Sequence, residues 1–199
     1  MADPVLQLLA NGLQFWIRQQ CSAVEQLDLQ LHGSSLALLR GRLEGVSLIA
    51  RKAVFSNLEI ERVELRSGAI AVQMGKLLKG QALQLESAFA ISGSAHFSGA
   101  GLNRSLATPH WRGLADQISE ALLGLSPLQQ VRIDGDQLVF SAEGIDCPTR
   151  PEAQQGCLAL RSSDGQRTYS LPGDPNIQIE RAQVAAGLLE LSGTAQVRP

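Results

Sequence analysis

QALQLESAFAISGSAHFS, residues 81–98, decides how the rest of the chain is read. Its odd positions run Gln81, Leu83, Leu85, Ser87, Phe89, Ile91, Gly93, Ala95, Phe97, and its even ones Ala82, Gln84, Glu86, Ala88, Ala90, Ser92, Ser94, His96, Ser98. One face stays largely apolar and the other polar or small, the period-two pattern of a half-buried strand. Unbroken, such a strand extends ~55 Å at about 3.3 Å per residue, far beyond the usual five or six residues. Long strands twist and coil, and Gly93 with the Ala and Ser positions adds little bulk to crowd a concave surface. The pattern predicts a long, strongly bent sheet.

After Ser98 the period becomes helical in two pieces. One, at about 98–106, carries Leu102 and Leu106. The other takes Thr108 as cap and Pro109 at its first position, buries Trp111, Leu114, Ala115, Ile118, Leu122 and Leu125, and ends at GLSP. Upstream, Asp3 and Pro4 open a helix to about residue 20, with Val5, Leu8, Leu9, Gly12, Leu13, Trp16 and Ile17 on one face. Its polar face is amide-rich with Arg18 as the one cation, whereas membrane-surface helices usually carry several. The expectation is a helix packed on the sheet. Strands are predicted at 25–31, 43–50, 56–66 and 69–74, with a bulge near Glu61 or Arg62, where the apolar parity switches between Leu58, Ile60 and Val63, Leu65.

Beyond the helices the pattern returns to hairpins. LQQVRID and QLVFSA flank Asp134-Gly135, CLALRSS and RTYSL flank Asp164-Gly165, and IQIERAQV leads through AAG into LLELSGTAQV. The proline-rich CPTRPEAQQG reads as a loop. The order helix, antiparallel strands, two helices, antiparallel strands gives an α+β class: a strongly curved antiparallel sheet covered by amphipathic helices, in a single domain over residues 1–199.

Composition excludes several functions. Seventeen basic residues oppose nineteen acidic ones and are dispersed, which argues against a nucleic-acid partner. No apolar run reaches the roughly 20 residues that span a bilayer. Asp3 stands where a secretory signal carries basic residues, which points to a cytoplasmic protein, peripheral to a membrane at most. Cys21, Cys147 and Cys157 are an odd, scattered set. A Cys147–Cys157 bridge is conceivable, but a reducing compartment favours free thiols. His32, His96 and His110 have no metal-ligand spacing, no nucleophile motif is present, and Glu59, Glu61 and Glu64 read as a solvated strand face. Neither an enzyme, a cofactor nor a metal is expected.

At FSGAGLNRSL followed by ATPHWRGLADQI, the chain resembles the LmeA-like phospholipid-binding family, particularly its cyanobacterial members. The likeness extends through LLRGRLEGVSLIARKAVFSNLEIERVELRSGAIAV and LLKGQALQLESAFAISG, over about residues 25–125, with the step Leu102, Asn103, Leu106 its most recognisable part. Family members commonly open this helix with a capping box; here Ser98 keeps the cap but Gly101 replaces the acid, which implies a looser start. Relatives are often exported or tethered, and with Asp3 at this N-terminus their location is not expected to carry over.

The resemblance implies a tubular lipid-binding-like fold with an apolar groove, acting as a non-enzymatic binder or shuttle of phospholipid or a similar amphiphile at a membrane. The charge-poor strand would then line the groove with Leu83, Leu85, Phe89, Ile91 and Phe97. SGAG would be the flexible corner where the covering helix departs, and Trp111 would sit at the mouth. The alternatives stay open: these side chains pack wholly against the helices, or the apolar face receives a partner polypeptide as an assembly module.

Overall fold

A computed structural model describes residues 4–73 and 85–199; the side chains of Pro4 and Val5 are outside that description. Leu83 and the predicted strand residues 81–84, like Asp3 and residue 74, lie outside the described residues.

The elements in order are α1 (Pro4–Gln20), β1 (Ala23–His32), α2 (Ser35–Leu39), β2 (Arg42–Leu43), β3 (Gly45–Phe55), β4 (Leu58–Ser67), β5 (Ile70–Ala71) and β6 (Phe89–Ser98), then α3 (Gly99–Ala107) and α4 (Pro109–Leu123). There follow β7 (Gln130–Asp134), β8 (Gln137–Ala142), β9 (Ile145–Gln154), β10 (Cys157–Ser162), β11 (Thr168–Ser170), β12 (Ile177–Ala185) and β13 (Leu188–Val197). The class is α+β. A six-stranded sheet runs β1-β3-β4-β6-β13-β12, a five-stranded one β11-β10-β9-β8-β7, and β2 pairs β5; every pairing is antiparallel. Both larger sheets are open, with β1 and β12 at the edges of one and β11 and β7 at those of the other.

In the large sheet, directly opposed residues sort its two faces. Leu27, Ala50, Val63, Ala95, Leu191 and Ala182 form one apolar rank across all six strands, and the neighbouring rank, Asp28, Ile49, Glu64, Ser94, Ser192 and Arg181, is mostly polar. The alternation read in Phe89–Ser98 thus holds across the sheet. The strand itself is shorter than the pattern. Leu85 bridges Val72 and the Glu86 amide donates to the Ala71 carbonyl, so Leu85 and Glu86 pair beside the end of β5 before the chain turns into β6. Alternation reports which face a residue takes and not which strand it joins, so pairing with two different partners reads as one strand.

No bulge shifts the register of β4. Instead Glu25, Lys52 and Glu61 interrupt the pairing of β1, β3 and β4 at one level, with the register kept on both sides and Lys52 at φ 47. The face therefore switches in all three strands together, which is why Val24 and Leu27, or Ala53 and Ala50, share one core despite opposite parity. β3 also runs on to Phe55 and turns through Ser56 and Asn57, both at positive φ, five residues beyond the expected end at 50. The five-residue α2, capped by Ser34 Oγ accepting from the Ala37 amide at 3.2 Å, was not foreseen in the sequence.

The proline-rich segment is not a loop but β9, the central strand of the five-stranded sheet. Proline lacks the amide that a central ladder needs, so its position within the strand decides. The Pro148 carbonyl accepts from Ser163, just past the end of β10, and Pro151, three residues on, faces the other side, beyond Gln137 where β8 begins. Each missing amide falls beyond the ladder it would have joined. The three predicted hairpins form with their expected partners, and all three cysteines are free.

The main core joins both sheets. Phe97, Val184 and Leu189 of the large sheet, Leu138, Phe140 and Leu160 of the small one, and Ala115, Ile118 and Leu122 of α4 are all buried there. A second cluster, Leu27, Ala50 and Ala53, is covered by Ile17 of α1. The helix presents the expected face only in part: Ile17 packs on the core, but Leu6 and Ala10 are buried while Leu8, Leu9 and Trp16 are exposed. Apolar residues surround most of α1, so no single stripe dictated its seating.

Candidate functional site

α3 is held on β4 of the large sheet by polar contacts at its edge, while α4 packs on β8, β9 and β11 of the small one. Ser98 Oγ accepts from the Gly101 amide at 3.1 Å and donates to Glu61 Oε1 at 2.8 Å. The acid missing from the helix's own first turn is thus replaced at the cap by one from β4. Ser105, 1 % exposed, accepts from the Glu59 amide and donates to the Gly101 carbonyl. Arg104 grips the Glu59 carboxylate through Nε at 2.8 Å and Nη2 at 2.5 Å. That guanidinium holds the Glu59 carboxyl below the usual glutamate range against the opposing effect of burial. Glu59 and Glu61 are therefore helix anchors rather than a solvated face. SGAG is close-packed: a Cβ on Gly99 would lie 2.9 Å from the Ile133 amide nitrogen of β7.

Beneath these helices lies a cavity of ≈ 220 Å³. Leu58 of β4, Phe97 of β6, Leu102 and Leu106 of α3, and Trp111 and Ile118 of α4 form one side; Phe140 and Leu160 of the small sheet with Leu189 and Leu191 of β13 are among the residues that close it. Every lining residue is aliphatic or aromatic. Trp111 is half-buried, turns its Nε1–H outward to the Ser56 carbonyl at 2.9 Å, and stands edge-on to His110. The ring therefore spans from hydrocarbon to solvent, as an amphipathic side chain does.

A second, more open hollow of ≈ 310 Å³ lies along the same sheet face, over Val63, Leu65, Ile91 and Ala95 and beside Ile177 and Ile179. Leu191 lines both. A larger hollow, ≈ 790 Å³, is on the polar side of the sheet, where Asp28, His32, Glu64, Arg66 and Ser94 are among the residues that surround it. There His32 Nε2 and Ser47 Oγ are 2.8 Å apart and Arg62 is paired with Glu64, the ordinary furnishing of a solvated sheet face.

Of the residues singled out from sequence, Phe97 and Trp111 meet at the cavity and Ile91 lies in the adjoining hollow. Leu85 and Phe89, both half-buried, line neither, and Leu83 is outside the described residues. Leu58, Leu102, Leu106 and Leu191 were missed. Leu102 and Leu106 were legible as one helix face, but nothing local says whether such a face meets a filled core or a hollow one. For chemistry the site offers little: burial pushes the Cys147 thiol up, away from the reactive thiolate. Among the described residues no three His, Cys, Asp or Glu side chains are placed to hold a metal ion.

The model of the LmeA-like phospholipid-binding family matches residues 2–199. The chain belongs to the LmeA-like phospholipid-binding family. The match takes in essentially the whole chain, well beyond the stretch of about 25–125 whose motifs carry the resemblance. No curated protein and no solved structure matches the chain significantly. LmeA-like membership assigns it to a phospholipid-binding family and not to a known enzyme family. Among the described residues, no helix is long and apolar enough to cross a membrane.

Proposed function

We propose that this LmeA-like protein binds phospholipid, or a similar amphiphile, by taking an acyl chain into the cavity beneath α3 and α4, and that it shuttles this ligand at a membrane surface without catalysis. The observation that carries the reading is the ≈ 220 Å³ space walled only by hydrocarbon side chains, with the ≈ 310 Å³ hollow sharing Leu191. A wall without polar groups holds no water by hydrogen bonds, so an entering chain displaces none that is well ordered. The two spaces together fall in the ~300–1,000 Å³ range of small-molecule sites. Each methylene buried contributes about 0.8 kcal/mol, so several give useful affinity.

In this reading the headgroup stays outside, since the wall offers no hydrogen bond, and Trp111 marks the mouth. The large sheet with its helical cover serves as the curved, tubular lipid-binding-like shell. Ile91 takes the distal part of the chain and Phe97 the inner part. The test is native mass spectrometry and lipid extraction of the purified protein, with uptake from liposomes. Bound lipid or uptake is expected, and Leu106→Trp, which fills the cavity, should abolish it. Repeated absence of lipid with no uptake would overturn the proposal.

A further inference from the structure

α1 is apolar on two sides, and the sheet uses only one of them. Leu6 and Ala10 are buried, yet Leu8 is 74 %, Phe15 65 %, Trp16 57 % and Leu9 46 % exposed. At helical spacing Leu8 and Phe15 lie in line, with Leu9 and Trp16 beside them, so the exposed residues form one stripe along the helix. A contiguous exposed stripe of this size marks a contact surface. The helix turns at Cys21–Ser22 and runs back along β1, where the Gln14 side chain reaches the Leu27 carbonyl. Its first turns therefore lie at the end of β1 from which α2 departs, and α2 exposes Leu36 and Leu39 by 60 % and 66 %.

Charge selects the occupant. The chain as a whole carries −2, but no carboxylate occurs between Asp3 and Glu25 or between Asp28 and Glu44, and those two stretches hold Arg18, Arg40 and Arg42. α1 itself carries one cation, Arg18, fewer than membrane-surface helices usually show, and Arg40 and Arg42 after α2 supply the others. Leucine and paired aromatics in stretches whose only charged residues are arginines complement the acyl-chain boundary and phosphates of a bilayer. We propose that α1 and α2 dock this protein on a phospholipid bilayer, with Leu8, Phe15 and Trp16 entering the interface. The inference rests on the lipid-carrier reading, since a carrier must reach the bilayer from which it loads.

The experiment is flotation with phosphatidylcholine vesicles, alone and with phosphatidylglycerol added, together with Trp16 fluorescence in a Trp111→Phe background. Flotation, stronger with the anionic lipid, and a blue shift of Trp16 are expected. Leu8→Ser/Phe15→Ser/Trp16→Ser should lower the vesicle-bound fraction roughly tenfold or more, and still take up short-chain phosphatidylcholine supplied as monomers. Leu36→Ser/Leu39→Ser should weaken flotation in the same direction. Leu106→Trp should do the reverse, floating without taking up lipid, so that failure of docking and failure of the cavity are separable. No flotation with either vesicle, or undiminished flotation of the triple variant, overturns the proposal. So does a concentration-dependent dimer abolished by the same substitutions, which would assign the stripe to a second copy of the chain.

Discussion

Ser105 satisfies two backbone groups from a position 1 % exposed, the Glu59 amide and the Gly101 carbonyl. Ser105→Ala leaves the amide without its partner, and the expected cost is about 1–3 kcal/mol, read as a lower denaturant midpoint with unchanged m-value. Glu59 itself gives a pH signature. Its folded-state pKa is depressed, first by the hydrogen bond from Arg104. The stability it contributes is therefore fully present above the ordinary glutamate value of ~4.3 and is lost as pH falls through the lower folded value. Glu59→Gln should flatten that part of an acid-unfolding curve, while stability between pH ~6 and 8 varies with pH as in the parent. Arg104 is largely exposed, so solvent screening keeps the effect small. These contacts were not legible from the sequence. Two acids alternating on a strand look solvated until an arginine 45 residues away is placed beside one of them.

Among the elements, β6 and β13 meet at glycines. Gly93 and Gly193 are directly opposed, and a Cβ on Gly93 would stand 2.2 Å from the Glu64 carbonyl oxygen, one on Gly193 2.1 Å from that of Gln178. Those neighbours are backbone and cannot rotate away. Gly93→Ala should cost roughly 1–3 kcal/mol by forcing strands apart, whereas Gly113→Ala, on the exposed side of α4 with nothing within 4 Å, should stabilise by about 0.5–1 kcal/mol. Thermal or chemical denaturation of the two variants separates the cases. The sequence marked Gly93 as a place of low bulk, but which backbone approaches it depends on strands 30 and 100 residues away. The prolines of β9 teach the converse. Composition argued for a loop, and only the staggered ends of β8 and β10 reveal that each proline faces a position beyond the end of the neighbouring strand.

At the scale of the molecule, a ligand that binds only the folded state must stabilise it by mass action, by about 2.7 kcal/mol at a hundred times its dissociation constant. Short-chain phosphatidylcholine should therefore raise the melting temperature of the parent protein in a dose-dependent manner, and the shift should vanish in Leu106→Trp. An unchanged melting temperature in the parent at saturating monomeric lipid would count against the cavity.

The sequence by itself determined what is local. The alternation of Phe89–Ser98, the Ser98 and Pro109 helix starts, and the Asp-Gly hairpins are set by periods of two and 3.6 and by backbone preferences within a few residues. The family resemblance was legible for the same reason, in the run FSGAGLNRSL. Only the tertiary structure decided that one side of α1 would be covered and the other left bare, and that the proline-rich stretch would be a central strand. It also decided that a space would remain where Leu58, Phe97, Leu106 and Leu191 converge. A cavity is a volume left between side chains contributed by distant elements, and no one segment's pattern encodes how nearly they fill it.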